Sequence, residues 1–83
     1  MDQEVGKVIH YFDKAGVAVM KLSGYLAVGD QVKIKKGGNE FTQDIESMEI
    51  DRKSIQSAEA GKEVAVKVTQ AAKEGSRVYR LEA

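Results

Sequence analysis

One histidine, His10, and no cysteine occur in this chain of 83 residues. Without cysteine there is no thiolate nucleophile, no disulfide framework and no zinc site built on sulfur. With a single imidazole, a metal site made of several histidines cannot form within one chain. A Ser-His-Asp arrangement around His10 would need a serine set up as a nucleophile. Neither Ser23-Gly24 nor Gly75-Ser76 stands in a Gly-x-Ser-x-Gly context. Gly61-Lys62 lacks the upstream glycine and the following Ser or Thr of a phosphate-cradling loop. Asp44 and Glu46 share one strand face, and Glu49 and Asp51 another, but neither set has calcium-loop spacing, so both read as solvated faces. No catalytic residue, cofactor or metal is expected, and the chain is not expected to be an enzyme.

The cations offer more. Lys33, Lys35 and Lys36, with Lys7 and Lys21, are placed to contact phosphates. The chain carries 13 basic and 13 acidic side chains and has a pI near 6.6, which argues against a strongly basic nucleic-acid binder. Their distribution is uneven. Residues 1–36 carry six basic and four acidic groups (+2), residues 37–63 three and seven (−4), and residues 64–83 four and two (+2). A fold can sort such segments onto different faces and leave a local basic patch. The same charges on outward strand positions would also solvate a sheet and block edge pairing.

The elements that must position these residues have a period of two. Val64, Val66 and Val68 alternate with Ala65, Lys67 and Thr69, and Val32 and Ile34 with Lys33 and Lys35. Phe41, Gln43 and Ile45 alternate with Thr42, Asp44 and Glu46, and Met48 and Ile50 then take over the apolar role, a change of phase that a β-bulge would produce. Such alternation of β-branched and aromatic residues means half-buried strands. Gly37-Gly38-Asn39 reads as a tight hairpin, and Asp13 to Gly16, Val28-Gly29-Asp30 and Glu74-Gly75-Ser76 as turns. The predicted strands cover residues 4–12, 16–22, 31–36, 40–51, 63–69 and 77–81. Residues 54–60 are expected to hold at most a helical turn, with Ser54 as its N-cap. The connections are too short for parallel crossovers. The expected fold is all-β: one domain over residues 1–83, with its core at about 5–81, forming a small antiparallel closed barrel of about six strands. The acidic opening Met1-Asp2-Gln3-Glu4 is unlike a secretory signal, and no apolar run approaches the roughly 18 residues of a membrane helix. The expectation is therefore a cytoplasmic protein without membrane contact.

The motifs in order resemble a known family. Gly16-Val17-Ala18-Val19 followed by Leu26-Ala27-Val28-Gly29-Asp30-Gln31-Val32-Lys33-Ile34 is similar to the "L-x-V-G-D-x-V-x-I" segment of the second domain of elongation factor Tu and related translational GTPases. Ile45 to Lys53 resembles that family's strand ending in an Arg-Lys type loop, Ala60-Gly61-Lys62-Glu63-Val64-Ala65-Val66 its "A-G-x-x-V-x-V" return strand, and Glu74-Gly75-Ser76-Arg77-Val78-Tyr79 its final "x-G-D-x-V", with Ser76 in place of the acidic residue. The resemblance runs from Val5 to Leu81 and extends to small elongation-factor-like proteins. A related barrel also occurs at the end of a group of collagenase-type peptidases. The resemblance implies a translation-protein barrel without the GTP-binding domain, so no GTP binding. It also implies a role for Glu49 and Arg52, which match the spacing of an acidic residue and an arginine that help hold the acceptor end of aminoacyl-tRNA.

Two functions follow as expectations. The first is a non-catalytic module binding RNA, either tRNA or ribosomal RNA, through Lys7, Lys21, Lys33, Lys35, Lys36, Glu49, Arg52 and Lys53. The second is a protein–protein adaptor serving a separate enzyme such as a GTPase or a collagenase-type peptidase, with Tyr11, Phe12 and Tyr25 as aromatic anchors.

Overall fold

A computed structural model describes residues 3–81; Met1 and Asp2 of the acidic opening, and residues 82 and 83 of the expected domain, lie outside the described residues. Ten strands follow one another: β1 (Gln3–Phe12), β2 (Val17–Leu22), β3 (Leu26–Ala27), β4 (Gln31–Lys36), β5 (Asn39–Asp44), β6 (Met48–Ile50), β7 (Lys53–Ile55), β8 (Ser57–Ala58), β9 (Glu63–Lys67) and β10 (Arg77–Leu81). Eight form one sheet in the order β5-β4-β10-β1-β2-β9-β6-β7, and β3 pairs with β8 in a small second sheet. Among the described residues every pairing is antiparallel.

The alternation does its expected work in β2, β4 and β9. Ala18, Met20 and Leu22, then Val32 and Ile34, then Val64 and Val66 are buried, while their neighbours face outward. With Val5, Val8, Leu26, Ile45, Met48, Val68 and Val78 they make one core. β1 is long, and its pairings slip twice, between Glu4 and Gly6 and between Val8 and His10. Each slip is a bulge, and bulges bend a strand and raise its twist. Two of them in a central strand roll the sheet around its own valines.

The rolled sheet is not a closed barrel, and on this point the sequence expectation is corrected: β5 and β7 remain its edges. The reason lies at residues 45–47, where the change of phase from Ile45 to Met48 is not a bulge within one strand. The chain leaves the β5 edge there and joins the opposite end of the sheet as β6, beside β9. The single strand expected over 40–51 is therefore two strands. Ile45 stays tied to the start of β4, donating to the Asp30 carbonyl and accepting from Gly29 N–H, both at 2.8 Å.

A side chain bridges the remaining gap. Gln43, only 7% exposed, donates from Nε2 to the Lys67 carbonyl at 2.9 Å and accepts at Oε1 from the Thr69 N–H at 2.8 Å. A carbonyl and an N–H on either side of Val68 are what a parallel neighbouring strand would satisfy. One glutamine amide stands in for that strand.

No helical turn occupies 54–60 either. Ser54 lies in β7 opposite Glu49, and Ser57 and Ala58 pair with β3. β6 and β7 are joined by Asp51 and Arg52, both at positive φ (52° and 65°). Positive φ at both central residues is the type I′ geometry, which matches the right-handed twist of the flanking strands. Asn-Gly favours that geometry far more than Asp-Arg, which is why the sequence did not announce the hairpin.

Candidate interaction face

The outward face of the central strands gathers the charge. Following the registers across the sheet, Glu40 of β5 lies opposite Lys35 of β4, Lys35 opposite Arg77 of β10, Arg77 opposite Lys7 of β1, Lys7 opposite Lys21 of β2, and Lys21 opposite Glu63 of β9. Residues directly opposite on neighbouring strands share a face, and all six are exposed. With strands about 4.8 Å apart, the four cations span roughly 14 Å. Arg77 pairs with Glu4 at 2.9 Å, and Lys21 makes a loose contact with Glu63 at 3.8 Å. Among the described residues the side chains of Lys7 and Lys35 make no ion pair or hydrogen bond.

The eight residues singled out from the sequence therefore separate into three groups. Lys7, Lys21 and Lys35 meet in one row. Lys33 lies two residues from Lys35, its ammonium 5.8 Å from the centre of the Tyr79 ring, within cation–π range. Lys36 donates to the Glu74 carbonyl at 2.6 Å. Glu49, Arg52 and Lys53 sit in the β6–β7 hairpin at the far edge of the sheet, beyond β9. The structure does not bring that hairpin to the row.

Arg77 completes the row and was missed. In the sequence it is one charge at the start of the last strand. Its place between Lys7 and Lys35 depends on β10 inserting between β1 and β4, a pairing of the chain's far end with its beginning that spacing does not reveal.

Beyond the row on the same face the surface turns apolar. His10 is opposite Val19, Val19 opposite Ala65, and Phe12 opposite Val17. The His10 and Phe12 rings meet edge to face at 4.6 Å. Phe12 is 48% exposed, and Ile9, the extra residue of the second bulge, 39%. Tyr25 is exposed too, at another place on the surface near Arg80, which donates to its carbonyl at 3.3 Å. Tyr11 is partly buried and packs against the core.

A cleft of about 570 Å³ lies at one end of the sheet, between the β4–β5 hairpin and residues 70–76. Ile34, Phe41 and Ala71 line it together with Lys36, Glu40 and Lys73. Its walls depend on two glycines: Gly37 (φ 60°) opens the two-residue hairpin, and Gly75 (φ 92°) turns the chain into β10, with Ser76 N–H donating to the Lys73 carbonyl at 3.0 Å. Among the described residues no group of three or more His, Asp or Glu side chains is placed to hold a metal. His10 Nδ1 is 3.4 Å from Glu74 Oε2, a contact between two exposed side chains.

Comparison with known proteins bears on the resemblance. No family model matches the chain. It is 34% identical over 79 residues to an uncharacterized protease of Methanocaldococcus jannaschii, a match that covers 94% of the chain and 19% of the protease. The chain thus spans about a fifth of that relative's length. Among solved structures, the C-terminal domain of a Geobacillus thermoleovorans protein assigned as a U32 peptidase superposes with a TM-score of 0.90 at 20% identity, covering 96% of this chain and 93% of that one. A selenomethionine variant of the same domain gives 0.86 at 22% identity, covering 92% and 96%. At that identity the superpositions establish a shared fold.

These findings overturn the translation-factor assignment and, with it, the expectation of RNA binding in protein synthesis. The motif that suggested it has an architectural cause. In Ala27-Val28-Gly29-Asp30, Asp30 N–H donates to the Ala27 carbonyl at 3.1 Å and Asp30 Oδ2 accepts from Ala27 N–H at 3.0 Å, and Val32 and Ile34 then enter the core. In this chain the residues of the motif build a turn and a strand.

Proposed function

We propose that the chain is a non-catalytic protein-binding module that works with a peptidase catalytic domain. The observation that carries this reading is the lopsided coverage of the protease match, in which nearly all of this chain corresponds to a fifth of a much longer protein. A segment of that size suits an accessory domain, with the catalytic machinery in the remainder. The solved domains of this fold, which are C-terminal domains of a protein assigned as a peptidase, point the same way. The outward sheet face, with cations beside exposed apolar groups, supplies a surface for a protein partner.

The test uses the Methanocaldococcus jannaschii protease shortened by the stretch that aligns to this chain. Mixed with that protein, the chain is expected to co-elute in size-exclusion chromatography and to alter its cleavage of a protein substrate. Separate elution with unchanged cleavage refutes the module. The chain alone is expected to release no fragments from casein or gelatin. Fragment release that disappears in His10→Ala would instead make it an enzyme.

A further inference from the structure

The cross-strand row carries a conclusion about partner chemistry. Lys7 has a cation directly opposite on both sides, Lys21 on one and Arg77 on the other, and Arg77 has Lys35 beyond it. Like charges directly opposite on neighbouring strands are destabilising. The fold gains nothing from the three cation–cation neighbours themselves: these positions face outward, the core is closed beneath them by Val78, Leu22 and Ile34, and the chain has as many carboxylates as cations to place there. Among the described residues Arg77 has a close carboxylate, Glu4, and Lys21 a looser one, Glu63, while Lys7 and Lys35 have no ion pair.

We propose that this row, with the apolar patch next to it, is a docking surface for a polypeptide segment in which a short cluster of carboxylates is followed by apolar side chains. Two observations favour an acidic polypeptide over a polyphosphate chain. The row is short and framed, with Glu40 at one end, Glu63 at the other and Glu4 alongside, so a long polyanion crossing it runs into like charge in either direction. Second, the next outward positions along β1, β2 and β9 are His10, Val19 and Ala65, then Phe12 and Val17; apart from His10, which contacts Glu74 at 3.4 Å, they offer apolar contact, with no lysine or arginine until Lys67. A few carboxylates over the lysines, with apolar side chains over Phe12, match that sequence of surfaces. This inference deepens the module reading by naming what the module grips, and its test is independent of any peptidase.

The probe is a fluorescein-labelled 12-residue peptide with four consecutive glutamates followed by alternating Phe and Leu, followed by anisotropy on the full chain at low and moderate salt. A second peptide has glutamine in place of each glutamate, and a uridine 12-mer serves as the polyphosphate arm. The glutamate peptide is expected to bind at least tenfold more tightly than the glutamine peptide and to weaken as salt rises. Lys7→Glu and Lys35→Glu should each lose tenfold or more, and Phe12→Ser a few-fold. Lys7→Glu should at the same time melt at or above the parent temperature, because it replaces two repulsive cross-strand contacts with attractive ones. Equal binding of the two peptides, or indifference to Lys7→Glu in a variant that melts normally, overturns the proposal. So does tighter binding of the uridine oligomer, which would assign the row to phosphate. Failure of the chain to co-elute with the peptidase domain bears on the module reading alone.

Discussion

Replacing Gln43 tests how the rolled sheet is held together without a closing ladder. Its amide makes two hydrogen bonds of good length across the seam, to the Lys67 carbonyl at 2.9 Å and from the Thr69 N–H at 2.8 Å. In Gln43→Leu the volume is nearly kept and both bonds are lost. A typical buried hydrogen bond contributes about 1 kcal/mol net, more where the abandoned partner stays dry. Lys67 and Thr69 are exposed residues, so water can reach their backbone groups once the amide is gone, and the lower value applies. The expected loss is about 2 kcal/mol for the pair. For a domain of this size that is a fall in melting temperature of roughly 8–16 °C. Urea denaturation followed by circular dichroism measures it, with an unchanged m-value showing that the folded and unfolded states have not altered otherwise. Amide exchange locates the effect, since Thr69 N–H should be protected in the parent and exchange faster in the variant. A further variant checks the chemistry. In Gln43→Glu the ionised carboxylate can still accept from Thr69 but faces the Lys67 carbonyl with no proton to donate. Its folded-state pKa is then raised above the unfolded value of about 4.3. The variant should come close to the parent below that pH and lose stability as pH rises through the raised value. A loss under about 0.5 kcal/mol in Gln43→Leu, or a Gln43→Glu protein equally stable at pH 4 and pH 7, refutes the claim that this amide holds the seam.

Three other substitutions bear on the fold. Arg52→Gly removes the steric cost of a side chain at φ 65° in the β6–β7 turn, and should stabilise by about 1 kcal/mol, read as a rise in melting temperature; a fall would mean that the arginine side chain itself secures the hairpin. Gly6→Ala places a methyl carbon 3.0 Å from the Lys21 carbonyl oxygen and 3.2 Å from Leu22 Cδ2. That oxygen belongs to the β1–β2 pairing and cannot retreat freely, so a loss of about 1–3 kcal/mol in urea unfolding is expected, and an unchanged midpoint would show that the strands give way easily. Met20→Ala empties a fully buried position of the core and should cost about 2–5 kcal/mol, a large part of what a domain this small has; a cost below 1 kcal/mol would mean that the rolled core collapses to fill the space.

The sequence carried the local physics well. Alternation in Val32-Lys33-Ile34-Lys35 and in Val64-Ala65-Val66-Lys67 marks which side of each strand is buried, because a strand turns its side chains to opposite faces by its own geometry. Gly37-Gly38 and Glu74-Gly75-Ser76 mark turns because positive φ is a property of single residues. The all-β class and the antiparallel pairing followed from those signals and from short connections. What the pattern could not show is which strand lies beside which. The phase change after Ile45 reads the same whether one strand bulges or the chain crosses to the other end of a sheet, and only the pairing of Met48 with Val66 decides it. Gln43 falls in line with Phe41 and Ile45 in the alternation, and only the arrival of the end of β9 gives its amide two partners. The lysines were legible as charges but not as a row: neighbours among Lys21, Lys7, Arg77 and Lys35 are separated by 14 to 70 residues along the chain and meet because four strands align in register. Sequence alone determined which residues face in and which face out; the order and register of the strands, set by non-local hydrogen bonds and by two bulges in β1, decided which outward charges became neighbours.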